Sequence, residues 1–495
     1  MSSVPATRSR VAARGRLLVG GTLVLAVLLR FPMLGAKSFW GDEVSTLFLI
    51  RRGFDGLLAG VARLESTPPL YYTLAKLWDA VAGNGEVGLR SLPAALGVGA
   101  VAVSYLAARE LVSPRAAVMT AALMAVNPML IWYSGDARSY SLAVLLAAVG
   151  LLFFVRALNG RPRAVGWWAL ASSLALATHY FSAFLIAPEA CVLLCRSQVP
   201  RRAALLAMGT VGATAAALLP LALEQRAFGH ADWIARTPLP LRILRAPADL
   251  LVGFDAPQVA AVGAVAVALA AAGGWLAWKR VRAPAERRGV ALAAAVGAAA
   301  VALPAALAAV GVDYFDSRNV IEAIVPLTIA IAAGFAVPRS RGGAAAACAL
   351  CALSLFVVVA TMREPKYHSE DWRAAARALG DDGRSVRVVV VTPGQAGRKP
   401  LMVYLGESTR PVFQLRTRVA EIDLVIAPRQ GASTPRPRDV HRLESLHLAG
   451  FHLAVSRSDT HYAVFRLRAR TPRSLSVRSI ALALGRLRPA VLLEH

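Results

Sequence analysis

Two adjacent carboxylates, Asp42 and Glu43, stand directly after Phe39-Trp40-Gly41 and before a stretch with helical spacing. Acidic residues at such a position can simply stabilise the N-terminus of a helix through the helix dipole. They can also do chemistry, because a carboxylate beside apolar surface takes up a proton more readily and can remove one from a hydroxyl group. We therefore predict that Asp42 and Glu43 are catalytic, acting as a base on a polar substrate held against a lipid carrier.

Three further stretches are rich in polar side chains: residues 133–140, 178–180 and 313–319. Their arginines, Arg138 and Arg318, could bind a phosphate through paired hydrogen bonds or pair with neighbouring aspartates. His179 taken alone is typical of a packed, hydrogen-bonded histidine. A functional site is favoured because all three stretches are expected on the same side of a membrane. The other candidate pocket residues in these stretches are Asp136, Tyr140 and Tyr180.

The composition defines the setting of these residues. Of 495 residues, 57% are hydrophobic and 17% are charged, whereas soluble proteins have about 45–50% apolar and about 25% charged residues. Uncharged runs recur at about the 20 residues needed to cross a bilayer. This excludes a cytosolic enzyme and a disordered or fibrous chain. The net charge of +26 is explained by basic cytoplasmic loops, so we expect membrane lipids and no nucleic acid as partners.

Eleven transmembrane helices are predicted from these runs, after a cytoplasmic N-terminal tail over residues 1–16. They lie at 17–34, 92–108, 116–133, 139–155, 164–178, 180–195, 203–223, 257–278, 290–311, 319–337 and 343–362. With the N-terminus in the cytoplasm, the cytoplasmic segments hold 19 basic and 2 acidic residues, and the opposite loops 12 and 13. Basic residues favour the cytoplasmic side, so the polar stretches and the chain after residue 362 are predicted to lie outside.

The first outer loop, residues 35–90, is too long for a simple connector. Apolar residues from Leu47 to Leu64 recur every three or four positions, which predicts one amphipathic helix; Leu70 to Val81 predict a second. Both are too short or too polar to span a bilayer, so we expect them in the outer interface. Pro68-Pro69 separates them.

A small α/β domain is predicted over residues 363–468. Runs 386–391, 424–427, 451–455 and 462–465 are typical of strands, and Asp371 and Asp439 are suited to open two helices. The remaining residues, 469–495, are rich in arginine. They predict a basic tail that is mobile or lies on the surface, or that anchors the chain to anionic lipid head groups.

Several motifs, in this order, resemble bacterial glycosyltransferase family 39, whose members have the GT-C fold. The resemblance covers roughly residues 15–340 and is carried by Phe39–Glu43, Thr67-Pro68-Pro69-Leu70-Tyr71-Tyr72, Arg90–Pro93, Asn127-Pro128, Ser134–Ser141 and Thr178-His179-Tyr180. Asp371-Trp372-Arg373 looks like the start of the outer domain that many bacterial members carry.

The resemblance implies an inverting transfer of a sugar from a polyprenyl-phosphate donor to a glycan, lipid or protein acceptor. Mannose is the commonest sugar in the family, and a pentose is also possible. The catalytic role then passes to Asp42, with Glu43 beside it. Arg138 and Arg318 become donor-phosphate ligands, and Tyr71 and Tyr72 join the pocket candidates. The chemistry requires no cofactor, and no metal ligands are assigned, although a divalent metal stays possible.

Two other functions remain open. A polyprenyl-linked lipid or solute transporter would place ionisable groups within its helices, as Glu189 does. A non-catalytic scaffold would leave Asp42 and Glu43 without a role. Frequent Ala, Arg and Gly indicate a GC-rich bacterial genome, and hence a multi-pass protein of the plasma membrane.

Overall fold

Apolar helices build the larger of two units into which the chain divides. The first unit combines Met1–Leu34 with Phe48–Ala360, and the second combines Gly35–Leu47 with Thr361–His495. The structure is a computed structural model. It describes residues 4–161, 163–196, 199–364, 370–380, 387–406, 409–411, 418–428, 434–446, 448–474, 476–485 and 489–494.

The first unit is almost entirely helical. Its helices, numbered along the chain and omitting α2, are α1 Val4–Arg30, α3 Phe54–Leu64, α4 Leu70–Ala82, α5 Glu86–Leu111, α6 Pro114–Val126, α7 Pro128–Ser134, α8 Tyr140–Leu158, α9 Ala164–Thr178, α10 Ala183–Arg196, α11 Arg201–Ala227, α12 Leu239–Val252, α13 Val259–Arg280, α14 Pro284–Ala309, α15 Ile324–Phe335 and α16 Arg341–Arg363. Because α1 begins at Val4, the helix runs through most of the segment predicted as an N-terminal tail.

Among the described residues, six helices are long and apolar enough to cross a membrane, or seven if the bent pair α6 and α7 is one span. Four shorter apolar helices lie at Leu17–Arg30, Ala164–Thr178, Tyr180–Cys195 and Ile321–Phe335. The chain is thus a multi-pass membrane protein. The predicted count of eleven spans would need all four shorter helices to cross, and it stays a prediction, as does the orientation.

The span predicted over residues 116–133 is broken rather than continuous. Helices α6 and α7 meet at an angle of 58°. Pro128 opens α7 without an N–H to donate, and the side chain of Asn127 accepts a hydrogen bond from the Leu130 N–H at 3.0 Å. The Asn127 amide also donates to the Leu250 carbonyl in α12 at 2.9 Å. A proline at the first position and a side-chain cap both favour a new helix start.

The single amphipathic helix predicted from Leu47 to Leu64 is wrong, because the chain forms two helices there. Helix α2 spans Gly41–Ile50, and α3 begins at Phe54 after Gly53, whose backbone is extended. The apolar periodicity continues across the break, so spacing alone did not reveal it. The second predicted helix is confirmed as α4, which leaves Leu77 and Val81 exposed.

The C-terminal part of the second unit contains a six-stranded mixed sheet. Its strands are β1 Arg387–Thr392, β2 Thr409–Pro411, β3 Arg418–Ile426, β4 His452–Ser458, β5 Ala463–Ser474 and β6 Ala490–Glu494. They lie in the order β2-β6-β1-β3-β5-β4, and only the pairing of β1 with β3 is parallel among those described. The small C-terminal sheet predicted from the sequence is therefore present.

Helices cover the sheet and supply its two cores. These helices are α17 Trp372–Leu379, α18 Gly394–Leu405, α19 Pro437–Glu444 and α20 Val477–Leu484. One core packs Trp372 and Leu401 against Val391, and the other packs Leu443 and Ile480 against the remaining strand side chains. Both faces of the central strands β1 and β3 are buried in this way.

Two expectations for this region are corrected. Asp371 does cap α17, accepting from the Ala374 N–H at 2.9 Å, but Asp439 does not open α19, which begins two residues earlier at Pro437. The segment predicted as a basic tail instead continues β5 to Ser474, forms α20 and contributes β6 to the sheet. Its apolar residues, such as Ile480 and Leu492, are buried, while Arg470, Arg473 and Arg478 stay exposed. Apolar burial therefore stabilises the segment without taking these arginines out of water.

Candidate active site

The two acidic residues predicted as catalytic lie in the first turn of α2, and they differ in exposure. Glu43 is only 1% exposed, and its Oε2 accepts a hydrogen bond from the Trp40 N–H at 3.3 Å. Asp42 is half-buried. A helix N-terminus presents unpaired N–H groups and favours negative charge, so Glu43 stabilises the helix start, while the Asp42 side chain stays partly exposed.

Arg138 lies in the loop between α7 and α8, and it is held against the start of α4. Its guanidinium carbon lies 5.8 Å from the centre of the Tyr72 ring. The Tyr72 hydroxyl is 2.8 Å from Thr67 Oγ1, and burial raises the pKa of this phenol well above its usual value. Tyr71, fully buried, packs edge-on against Tyr72 with 5.7 Å between the ring centres.

The partner of Arg138 is Glu65, which sequence reasoning missed. Glu65 ends α3, and its Oε1 lies 2.7 Å from Arg138 Nη1 in a buried ion pair. One signal could have found it, since Glu65 stands two residues before the Thr67-Pro68-Pro69 motif. The pair supplies Arg138 with a buried counter-charge.

Arg318 is the more accessible of the two predicted phosphate ligands. Its guanidinium carbon lies 4.3 Å from the centre of the Trp233 ring, an arrangement typical of cation–π attraction. Asp316 is a loose partner, with 3.7 Å between its Oδ1 and Arg318 Nε. The side chain keeps 21% of its surface exposed. The guanidinium of Arg318 is thus held over an aromatic face and keeps part of its surface exposed.

The loop that carries Arg318 is fixed by α12. Arg242 makes a two-pronged ion pair with Asp313, with oxygen–nitrogen distances of 2.8 and 2.5 Å, and also donates to the Phe315 carbonyl. The Ser317 hydroxyl donates to Asp249 Oδ2 at 2.7 Å. Neither Arg242 nor Asp249 was predicted as a site residue, because neither lies near the Arg318 loop in sequence.

His179 links the two arginine regions. It lies within electrostatic reach of both Arg138 and Arg318, and its ring centre is 5.8 Å from that of Tyr140. Its Nδ1 is 3.9 Å from Glu322 Oε1, which accepts a hydrogen bond from Ser182 Oγ at 2.7 Å. The structure therefore gathers Arg138, Tyr140, His179 and Arg318 in the first unit.

The remaining predicted residues surround this group. The Tyr180 hydroxyl donates to Gln225 Oε1 at 2.8 Å, and the Gln225 amide donates to the carbonyls of Val61 and Thr67. Asp136 is buried, and its carbonyl accepts from the Arg138 N–H at 2.7 Å. Gln225, in α11, was also missed by sequence reasoning, since a single glutamine at a helix end carries no motif.

A second polar feature lies within the helices. Glu189 is 1% exposed, and its Oε2 accepts from Trp168 Nε1 across α9 and α10 at 2.7 Å. The Glu189 carboxyl group is thus hydrogen-bonded between two helices. In the part of the chain that the structure describes, no group of three or more His, Cys, Asp or Glu side chains is arranged to hold a metal ion.

A mostly helical chain with six or seven apolar spans and a small C-terminal sheet has the GT-C fold. Residues 66–223 match the family model of the dolichyl-phosphate-mannose-protein mannosyltransferases. This match confirms the resemblance to glycosyltransferase family 39 that the motifs indicated. It also supports a membrane protein of the glycosyltransferase class. No curated protein sequence matches the chain significantly.

Solved structures agree on the fold. The apo crystal structure of ArnT from Cupriavidus metallidurans is 13% identical, with a TM-score of 0.55, and the match covers 92% of this chain and 98% of that one. The same protein bound to undecaprenyl phosphate is 12% identical, with a TM-score of 0.53 and coverage of 91% and 97%. At these identities the likeness concerns the fold alone.

Proposed function

We propose that the chain is an inverting glycosyltransferase that moves a sugar from a polyprenyl phosphate to an acceptor outside the membrane. The observation that carries this proposal is the half-buried Asp42 at the start of α2, beside a Glu43 already engaged by the Trp40 N–H. The match over residues 66–223 supports it. The complex of similarly folded ArnT with undecaprenyl phosphate supports a polyprenyl carrier.

In the proposed reaction, Asp42 removes the proton of the acceptor hydroxyl as its oxygen attacks the anomeric carbon of the donor. The bond between that carbon and the phosphate oxygen breaks on the opposite face, and the polyprenyl phosphate leaves with the electron pair. Attack from the opposite face inverts the anomeric centre. A base of this kind contributes about 10²–10⁴-fold to the rate.

Arg318 is proposed to stabilise the charge on the leaving phosphate, since its guanidinium lies over the Trp233 ring and its side chain keeps 21% of its surface exposed. Arg138 is proposed to bind the donor phosphate as well. The residues proposed to shape the substrate pocket are Tyr71, Tyr72, Asp136, Tyr140, His179 and Tyr180. Preorganised cations aimed at developing charge are among the strongest catalytic devices. Mannose or a pentose is the proposed sugar, and the acceptor is a glycolipid, polysaccharide or protein at the outer face of a bacterial plasma membrane.

The test is a donor assay with the purified protein in nanodiscs. Radiolabelled polyprenyl-phosphate sugars are supplied together with a native lipid extract as acceptor, and release of polyprenyl phosphate is measured. Turnover of one donor is expected for the wild type, with a loss of at least about 100-fold in Asp42→Asn. The matched control is Asp55→Asn, which removes an exposed acid from the first turn of α3.

Wild-type turnover by Asp42→Asn would overturn the proposed role of this carboxylate. A transporter reconstituted in liposomes would instead move the intact donor across the bilayer without releasing polyprenyl phosphate. A transporter would place an ionisable group within its helices, as Glu189 is placed, so movement of intact donor that stops in Glu189→Gln would replace the transferase proposal.

A further inference from the structure

A single buried glutamine joins three segments of the first unit. Gln225 lies in the last turn of α11 and is 4% exposed. Its amide nitrogen donates to the Val61 carbonyl at 3.1 Å and to the Thr67 carbonyl at 3.0 Å. Its Oε1 accepts from the Tyr180 hydroxyl at 2.8 Å. Because carbonyl oxygens only accept hydrogen bonds and a hydroxyl can donate one, these three partners fix the orientation of the amide.

The two carbonyls flank the chain segment that carries Glu65. Val61 is in the last turn of α3, where its carbonyl also accepts from the Glu65 N–H at 3.2 Å. Thr67 stands before two prolines, which have no N–H to donate. The two positions after Thr67 therefore cannot hold the segment through backbone N–H groups, and Gln225 holds it from α11.

The segment between these carbonyls contacts Arg138 and its neighbour Tyr72. Glu65 Oε1 lies 2.7 Å from Arg138 Nη1, and the Thr67 hydroxyl lies 2.8 Å from that of Tyr72. The Arg138 guanidinium carbon lies 5.8 Å from the centre of the Tyr72 ring. A chain of direct contacts thus runs from the Gln225 amide to the guanidinium proposed to bind the donor phosphate.

The orientation of a guanidinium decides how well it binds a phosphate. Paired hydrogen bonds need the planar group to face the phosphate in a fixed direction. A displacement of about 1 Å caused by a residue that touches no reactant can cost about 100-fold in rate. Glu65, Tyr72 and Gln225 are all at most 4% exposed, so buried side chains hold the guanidinium.

We propose that Gln225 is a positioning residue for the donor phosphate, because its amide holds the segment that fixes the pair of Glu65 and Arg138. The inference rests on the proposed function, since it takes Arg138 to be a ligand of that phosphate. It adds no covalent step. Gln225 is expected to act on the phosphate end of the carrier and not on its hydrocarbon chain.

The experiment measures the binding of two lipids to the full-length protein in nanodiscs. They are undecaprenyl phosphate and undecaprenol, which has the same chain but no phosphate. Gln225→Met keeps the length of the side chain and removes the amide. We expect it to weaken the binding of undecaprenyl phosphate by about tenfold, the size of one or two lost hydrogen bonds, and to leave undecaprenol unchanged. The control, Glu224→Met at the adjacent exposed position, should change neither affinity.

A merely structural role predicts a different pattern. A general loosening of the helices would weaken the binding of both lipids, so equal losses for the two would overturn the inference. Arg138→Lys keeps a charge beside Glu65 but loses the planar fork. In that background Gln225→Met should have little further effect on undecaprenyl phosphate, because both changes act on the same contact. A full further loss there would show that Gln225 does not act through Arg138.

Two milder variants serve if Gln225→Met does not fold. Gln225→Glu keeps an oxygen for the Tyr180 hydroxyl but turns a second oxygen towards the two carbonyls, so it should weaken undecaprenyl phosphate selectively. Tyr180→Phe removes only the third hydrogen bond and should have a smaller effect in the same direction. Unchanged affinities in every folded variant of Gln225 would overturn the inference.

The two proposals fail in distinguishable ways. If the wild type binds undecaprenyl phosphate no more tightly than undecaprenol, the proposed carrier is wrong and the role of Gln225 falls with it. If the wild type does prefer undecaprenyl phosphate and Gln225→Met binds both lipids equally well as the wild type, only the role of Gln225 is wrong. Wild-type turnover by Asp42→Asn would overturn the proposed base and leave this binding measurement intact.

Discussion

Glu65 and Arg138 form an ion pair with 2.7 Å between Oε1 and Nη1, and their side chains are only 2% and 8% exposed. The pair joins the end of α3 to the loop before α8. Burying two charges so far from water is costly, and each charge offsets part of that cost for the other. This buried ion pair therefore holds the end of α3 against the loop before α8.

Removing one partner of this pair should be costly. Glu65→Gln takes away the buried counter-charge that lies 2.7 Å from Arg138, and we expect it to lower the free energy of unfolding by about 3–5 kcal/mol. The measurement is thermal unfolding in detergent followed by loss of the monodisperse peak. The control is Glu110→Gln, which breaks the more exposed pair with Arg156 and should cost about 1 kcal/mol or less. Equal losses in the two variants would contradict the prediction.

Arg318 should matter for the donor rather than for folding. Arg318→Ala is expected to lower kcat/KM for the polyprenyl-phosphate donor by about 10²–10³-fold, because a cation aimed at the phosphate is lost. Arg318→Lys should recover only part of the lost kcat/KM, since the planar guanidinium stacks on Trp233 and an ammonium does so less well. Arg236→Ala, which removes an exposed arginine nearby, is the control. Unchanged donor kinetics in Arg318→Ala would rule out the proposed role.

Asp249 should make stability depend on pH. Burial raises the pKa of its carboxyl group to about 6, although the hydrogen bond from Ser317 opposes this. Its unfolded value is about 3.9, so the favourable contribution of the protonated form is complete below about pH 4 and is lost as pH rises through about 6. Asp249→Asn cannot titrate and should gain stability relative to wild type between pH 5 and pH 7.5.

The comparison of melting temperatures at these two pH values tests this prediction. Ser317→Ala removes a hydrogen bond that favours the charged carboxylate, so it should steepen the loss of stability with rising pH. A difference between wild type and Asp249→Asn that stays constant with pH would show that Asp249 does not titrate in this range.

Close helix packing should be sensitive at one glycine. A Cβ placed on Gly334 in α15 would lie 1.8 Å from the Gly273 carbonyl oxygen in α13. Gly334→Ala must therefore push the two helices apart, and we expect a loss of more than about 2 kcal/mol or failure to express as a monodisperse protein. Gly274→Ala, one residue along α13, meets no atom within 4 Å and should be neutral or slightly stabilising.

Local signals in the sequence determined many elements correctly. Asp371 marked the start of α17, the apolar spacing from Leu70 to Val81 marked α4, and the valine run marked β1. These signals are local because a cap, a helical face and a strand are defined by residues a few positions apart. The class of membrane protein and the acidic pair at a helix start were predictable for the same reason.

Where continuity or composition conflicted with packing, the sequence was misleading. The apolar spacing from Leu47 to Leu64 ran through a break at Gly53. The arginines after Arg466 suggested a tail, although the intervening apolar residues complete the sheet as α20 and β6. A pattern records which faces are apolar, but it does not record where the chain turns.

Tertiary structure alone decided which side chains meet. Arg138 pairs with Glu65, 73 positions away, and Arg242 pairs with Asp313, 71 positions away. β6, near the end of the chain, lies between β2 and β1. Ser38 binds the turn at Glu370 and Trp372. Such pairings depend on distances between remote segments, and residue types carry the capacity for an ion pair or hydrogen bond but not the choice of partner.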